Sequence, residues 1–191
     1  SGIPLISIRK SLFFMRLDPK YFNLFIAICA LLTLIVIVWG TISYSNNQEL
    51  DFRESLRDIR LDTLSFATYS HQIDSLFSED LKGSPTLIQF WSTWSGKSLA
   101  VNRFLENNRE DYSDLTIVAA SVRDSDELIL DHINSTSNDF IYVEGTSFFQ
   151  TLLVPGVPSQ IFLDRDGMYF DAQVGDDTTA IREKLDRLYN E

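Results

Sequence analysis

Residues 87–99, LIQFWSTWSGKSL, constrain the fold of this chain more than any other stretch. Residues 87–91 form a short apolar run whose length suits a buried strand. Residues 92–96 interrupt that run, and from Lys97 onward apolar residues recur on one helical face, at Val101, Phe104 and Leu105. The sequence therefore predicts a strand, a tight turn and a helix start, where unpaired backbone N–H groups favour negative charge.

At these residues the chain resembles the thioredoxin-like superfamily, in particular the membrane-anchored branch of bacterial TlpA and ResA proteins. That branch carries a phenylalanine-tryptophan-X-threonine-tryptophan-cysteine-glycine-proline-cysteine loop. The present loop departs from it at Ser95, Lys97 and Ser98 and agrees with it at five positions, namely Phe90, Trp91, Thr93, Trp94 and Gly96. The resemblance extends to residues 80–85 and 156–167 and to the last helix, which is about two thirds of the chain.

The resemblance implies an α/β fold, a thioredoxin-like sandwich in which helices flank a mixed central sheet. It also implies a reactive thiolate in a Cys-X-X-Cys loop, whose pKa is depressed at the helix start. Serine cannot replace it, because disulfide exchange proceeds through a thiolate that attacks sulfur. We therefore expect no catalytic residue, cofactor or metal in the degenerate loop, which comprises Trp94, Ser95, Gly96, Lys97 and Ser98.

Other roles for the loop remain open from sequence alone. A nucleophilic Ser95 would need an adjacent base and an oxyanion hole. Nothing shows that Lys97 is desolvated, and the predicted fold places neither His71 nor His132 beside the loop. Capping of the helix start is the ordinary role of serine at such a position. An engineered pair of serines is a further alternative, although Lys97 in place of the family's proline favours natural degeneracy.

Pro158 forms the second part of the predicted site. In the resembling family, the proline of a glycine-valine-proline loop is cis and faces the cysteines. The preceding residue, here Val157, then presents backbone groups to an extended substrate segment. Retention of Trp94, Gly96, Val157 and Pro158 without either sulfur predicts a preserved docking groove. The alternative is that these residues only maintain the fold.

Residues 21–42 contain no charged side chain and predict a transmembrane helix. Residues 22–39 alone would span about 27 Å as a helix, close to the thickness of the bilayer core. Aromatic residues suited to the membrane interface lie near the two ends, at Tyr21, Trp39 and Tyr44. A cleaved signal peptide is the alternative, but the apolar stretch is too long for one.

Charge predicts the orientation of the chain. Basic residues precede the apolar segment and acidic residues follow it, so the positive-inside rule places the N-terminus in the cytoplasm. We expect residues 1–20 to be a cytoplasmic tail, residues 43–60 a juxtamembrane stalk and residues 61–191 a periplasmic domain at the bacterial inner membrane. The tail is read either as a short amphipathic helix on the membrane face or as a simple flank.

The net charge of −11 is unevenly distributed: residues 1–45 carry +3 and the remainder carries −14. An acidic domain argues against nucleic acid as a partner, since phosphate binding requires clustered Lys and Arg. Cys29, the only cysteine, lies within the apolar segment and cannot form an intramolecular disulfide.

The rest of the domain shows a strand, helix and strand order that predicts parallel pairing of the motif strand with residues 115–122. The motif helix is expected to close at residues 111–113, and residues 73–81 to form turns before the motif strand. Further predicted elements are strands at 64–68 and 141–143, helices at 125–133, 147–153 and 178–188, and a hairpin of 161–163 with 168–174.

We interpret the chain as a redox-inactive, membrane-anchored thioredoxin-like domain that serves as a binding or structural accessory subunit of a larger membrane or cell-envelope complex. Its expected partners are the lipid bilayer and other subunits. A patch of small residues, Ala27, Cys29 and Ala30, would let another transmembrane helix approach. The alternatives are a disabled thiol–disulfide oxidoreductase of the TlpA/ResA type and a serine-dependent activity at the same loop.

Overall fold

The computed structural model describes residues 19–58, 65–69 and 74–190, without the side chains of 19–20, 45–46 and 57–58. The predicted tail helix before residue 19, the end of the predicted stalk at 59–60 and His71 lie outside the described residues. The chain divides into two units, Ser1–Tyr44 and Ser45–Glu191, each described separately below.

Helix α1, Pro19–Asp58, contains residues of both units. Its first part carries the apolar segment, and by length and composition it is apolar enough to cross a membrane. The apolar side chains in that part are exposed within the chain itself, from Tyr21 to Tyr44.

The second part of α1 belongs to the folded domain. The sequence predicts a polar stalk over residues 43–60, but Phe52 and Leu56 are 1% and 0% exposed and lie in the main hydrophobic core. The two residues are four apart and so share one helix face. Ser55 also donates a 3.4 Å hydrogen bond to the carbonyl oxygen of Leu152. The many polar residues around this pair hide its periodicity in the sequence.

A two-stranded sheet follows. Strand β1, Ser65–Ala67, lies where the sequence predicts a strand, and it pairs antiparallel with β2, Ser75–Phe77. The expectation of turns alone over residues 73–81 was therefore wrong for β2, and a 3-10 helix, Ser78–Leu81, follows that strand. Three residues with one buried side chain, Leu76, are too short to show a strand alternation in the sequence.

The central sheet contains five strands: β3 (Thr86–Trp91), β4 (Thr116–Ser121), β5 (Ile141–Glu144), β6 (Ser159–Leu163) and β7 (Tyr169–Val174). Their spatial order is β5-β4-β3-β6-β7, with β3 parallel to β4, β4 parallel to β5, and the other pairs antiparallel. Every residue of β3 is buried, because helices cover both faces of the sheet centre. The predicted mixed sheet and its parallel motif unit are confirmed.

Helices α2 (Gly96–Asn107), α3 (Asp126–Ser135) and α5 (Thr178–Asn190) contribute to the core on one face of the sheet. Helix α4 (Thr146–Thr151) packs on the other face with the end of α1. Helix α2 ends earlier than residues 111–113, where the sequence places its end. The side chain of Asn108 donates a 2.6 Å hydrogen bond to the carbonyl oxygen of Phe104 and so competes with continuation of the helix.

Candidate functional site

The turn after β3 is fixed by hydrogen bonds to the segment after β4. The hydroxyl of Ser92 donates to the carbonyl oxygen of Val122 at 2.6 Å. The backbone N–H and the hydroxyl of Thr93 both donate to the Asp124 carboxylate, at 2.6 and 2.9 Å. Because β3 and β4 are parallel, the turn lies at their carboxyl ends, where open α/β sheets place their sites.

Ser95 caps the start of α2, as the sequence predicts. Its hydroxyl oxygen accepts a 3.2 Å hydrogen bond from the backbone N–H of Ser98, and the residue is 7% exposed. Ser98 lies one turn into the helix and is fully buried, and its hydroxyl has no hydrogen-bond partner among the described residues. The two serines therefore occupy the helix start that suits a thiolate, but of their two hydroxyls only that of Ser95 has a hydrogen-bond partner among the described residues.

Among the described residues, no base is bonded to Ser95. In the described part of the chain, no histidine or carboxylate forms a hydrogen bond with its hydroxyl. Lys97 is largely exposed, and its ammonium group donates to Asp176 at 2.9 Å. That hydrogen bond lowers the pKa of the Asp176 carboxyl. Lys97 is thus a solvated side chain paired with Asp176 and not a desolvated amine, so it does not supply the base that a nucleophilic Ser95 would need.

His132 lies closer to the loop than the sequence indicates. Its ring centroid is 4.6 Å from that of Trp91, the last residue of β3, and burial lowers its pKa. The ring contacts this buried tryptophan and makes no hydrogen bond to Ser95. His132 thus packs on the last residue of the motif strand, nearer to the loop than the sequence predicted.

The loop before β6 holds the predicted cis bond, between Val157 and Pro158. The carbonyl oxygen of Pro158 accepts from the N–H of Gly175 at 2.9 Å, and the hydroxyl of Ser159 donates to Gly156 at 2.7 Å. Within the described residues, the backbone N–H and C=O of Val157 form no hydrogen bond. These two groups are available to an extended chain segment, which the resemblance implies as their role.

A groove of about 260 Å³ lies beside this loop, within the second unit. It brings Lys97 together with Val157 and Pro158, whereas Trp94, Ser95, Gly96 and Ser98 are not among its lining residues. Trp94 is two thirds exposed at the loop tip. Two lining residues that sequence reasoning missed are Gln48 and Glu49 of α1, because the segment that carries them reads as a stalk.

A row of buried amides crosses the sheet on neighbouring strands. Gln89 of β3 is in register with Gln160 of β6, which is in register with Gln173 of β7, and each is at most 4% exposed. The side chain of Gln160 donates to that of Gln89 at 2.9 Å. These residues were not predicted from the sequence, although a glutamine within an otherwise largely apolar strand, as at Gln89 and Gln160, was the available signal. In the part of the chain that is described, no cluster of side chains is arranged to hold a metal.

No protein-family model and no curated protein matches the sequence. Solved structures do resemble it. MTB DsbF superposes with a TM-score of 0.58 at 18% identity, covering 67% of this chain and 96% of that one. A thiol-disulfide isomerase from Corynebacterium glutamicum gives 0.55 at 20% identity, covering 70% and 96%. A secreted disulfide oxidoreductase from Mycobacterium tuberculosis gives 0.55 at 18% identity, covering 68% and 98%.

These comparisons show the fold. The domain has a thioredoxin-like fold, a mixed sheet flanked by helices, and within the described residues it is preceded by an apolar helix long enough to span a membrane. Its structural neighbours include proteins named as DsbF, DsbE and StoA, which agrees with the resemblance found in the motif loop.

Proposed function

We propose that this chain is a membrane-anchored binding subunit whose thioredoxin-like domain docks an extended partner segment and does not exchange disulfides. One observation carries the proposal: a capping serine and a buried serine stand at the helix start, while the groove beside Val157 keeps its free backbone groups. Under this proposal the helix start has no group that exchanges disulfides, whereas the groove beside Val157 still has a shape that binds a partner segment.

The absence of redox activity in the proposal depends on where the cysteine of the chain lies. Disulfide exchange requires a thiolate at the site. The single cysteine of the chain, Cys29, lies in the apolar part of α1 and not in the domain. The hydroxyl of Ser95 accepts a backbone hydrogen bond instead, and no base is bonded to it among the described side chains. This supports a domain without oxidoreductase turnover.

The docking part rests on the free N–H and C=O of Val157. An extended peptide that pairs with one backbone donor and one acceptor adds as a short strand, and neighbouring pockets then select its side chains. The groove of about 260 Å³ beside Val157 has the size of a side-chain pocket, with the Lys97–Asp176 pair at one wall. Glu49 lies at another wall and pairs with Arg53 at 2.9 Å.

We further propose that residues 1–20 are cytoplasmic and that the domain faces the periplasm of a bacterial inner membrane, within a larger complex. The uneven charge of the flanks supports this orientation. A secreted oxidoreductase among the structural neighbours supports an extracytoplasmic domain. The partners expected are the bilayer, a transmembrane helix at Ala27, Cys29 and Ala30, and the chain that fills the groove.

A second candidate function is favoured by the structural neighbours, which are named as thiol–disulfide proteins. Under this hypothesis the domain is an oxidoreductase whose cysteines have been replaced. It predicts that Ser95→Cys together with Ser98→Cys restores disulfide reduction. The first proposal instead requires a partner at the groove of the unaltered chain.

Site-directed photo-crosslinking in native membranes tests the docking proposal. A photoreactive benzoylphenylalanine replaces Lys97, which lines the groove, or Lys82, an exposed lysine away from it. We expect position 97 to give one defined crosslinked partner and position 82 to give none. The crosslink should decrease when free peptide copied from the crosslinked segment is added. Equal crosslinking at both positions, or none at position 97, would contradict docking.

A further inference from the structure

A second and larger cleft lies between α2 and the C-terminal end of α3. Its volume is about 430 Å³, and it shares no lining residue with the groove at Val157. The side chains around it are almost all polar and include Asn102, Arg103, Glu106 and His132. No part of the proposed docking function uses this cleft.

Asn102 is the unusual residue of the cleft. Helix α2 buries it together with Val101 and Leu105, at 4% exposure. Neither its amide nitrogen nor its amide oxygen has a hydrogen-bond partner among the described residues. A buried amide without partners destabilises the fold, because it has lost its hydrogen bonds to water. An apolar residue would pack there without that penalty. Both amide atoms have almost no accessible surface, so a ligand in the cleft reaches them only when a lining side chain moves aside.

Two oppositely charged residues on the same helix also lack an ion-pair partner among the described residues. Arg103 and Glu106 are three residues apart, a spacing at which opposite charges ordinarily pair. They form no ion pair with each other or with any other residue in the described ranges. Arg103 is exposed at the rim and Glu106 is half-buried. The cleft therefore presents one available cation and one available anion.

His132 completes the wall on α3. Its Nε2 atom is buried and has no partner in the described part of the chain. Burial lowers the pKa of the imidazole, which favours its neutral form near pH 7. A neutral imidazole leaves the balance of charge between Arg103 and Glu106 unchanged.

We propose that this cleft binds a small zwitterion, namely a free amino acid or a short peptide with both charged ends. The carboxylate of such a ligand pairs with Arg103 and its ammonium group with Glu106. The amide of Asn102, which both donates and accepts, gains a partner when a lining side chain moves aside to admit the polar groups between those ends. A simple anion or a simple cation leaves one of the two protein charges unmatched, so neither fits as well.

The volume agrees with this class of ligand. Small-molecule sites occupy about 300–1,000 Å³, and the cleft of about 430 Å³ lies near the lower limit of that range. It therefore has room for a single amino acid or a dipeptide.

Calorimetric titration of the full chain in detergent tests the proposal. The probes are L-alanine and dialanine, with propionate and ethylamine as analogues that each carry one of the two charges, and glucose as an uncharged polar compound. The variants are Arg103→Gln and Glu106→Gln. The matched controls are Arg123→Gln and Glu110→Gln, which change exposed residues outside the cleft lining.

We expect alanine or dialanine to bind, and each single-charge analogue to bind at least about tenfold more weakly. Arg103→Gln and Glu106→Gln should each weaken binding by at least about tenfold, whereas the two controls should change it by less than about twofold. Three results would overturn the proposal: no binding of either zwitterion up to about 10 mM, equal binding of glucose, or equal affinity in the cleft and control variants.

Discussion

The turn at the start of α2 and the loop before β6 differ in which of their groups are already satisfied. In the turn, Thr93 is held by Asp124, and Ser95 accepts from the N–H of Ser98. In the loop, Val157 retains a free N–H and C=O beside a groove. The proposed function depends on this difference: the hydroxyls of the two serines in the turn are capping or buried, whereas the loop presents unpaired backbone groups beside a groove.

The largest expected effect is on the free energy of unfolding, from a core residue that supports the loop at Val157. Leu56 of α1 is fully buried in the core cluster against which Val157 packs. We expect Leu56→Ala to lower the free energy of unfolding by about 2–5 kcal/mol, because it removes buried methyl groups and leaves a cavity. Leu50→Ala is the matched control, since Leu50 is exposed on the same helix, and should change it by less than about 0.5 kcal/mol. Urea unfolding of the full chain in detergent measures both values.

Equal effects of the two leucine variants would show that the end of α1 does not belong to the domain core. In that case α1 would not support the docking loop, and residues 47–56 would be part of the stalk that the sequence predicts.

A smaller change in the free energy of unfolding distinguishes the roles of Ser95 and Ser98. Ser95→Ala removes a helix cap and should lower the free energy of unfolding by about 0.5–2 kcal/mol. Ser98→Ala removes a buried hydroxyl that has no partner among the described residues, so it should leave stability unchanged or raise it. The same unfolding measurement compares them. A larger loss from Ser98→Ala than from Ser95→Ala would contradict the assignment of Ser95 as the cap.

The smallest expected effect is a change in the pKa of Asp176. The hydrogen bond from Lys97 lowers the pKa of Asp176, so Lys97→Met should raise that pKa toward the ordinary aspartate value of about 3.9. A carboxyl with a depressed folded-state pKa contributes stability above its unfolded value, and that contribution disappears as the pH falls through the folded value. NMR titration of Asp176 follows the shift, and an unchanged pKa would contradict the pair at the groove wall.

The sequence predicted the elements whose signals are local. The motif strand, the serine-capped helix and the parallel partner strand follow from apolar runs and capping residues near one another in the chain. Phe52 and Leu56 were missed because their burial depends on packing against residues about a hundred positions away.

For the candidate site too, only the parts with a local sequence signal were predicted. Its two loops follow from motifs, whereas Gln48 and Glu49 reach the groove through the tertiary fold. The free amide of Asn102 likewise has no sequence signal, because a polar residue on a helix ordinarily faces solvent. Only the packed structure shows that this one is buried.

Disulfide reduction by the domain tests the central claim most directly. The reduction of insulin is followed for the full chain carrying Cys29→Ala, with the same chain carrying Ser95→Cys and Ser98→Cys for comparison. The account predicts that the Cys29→Ala chain reduces insulin no faster than the reductant alone, because it contains no thiol. Turnover by that chain above the reductant background would contradict the claim that this thioredoxin-like domain binds without redox chemistry.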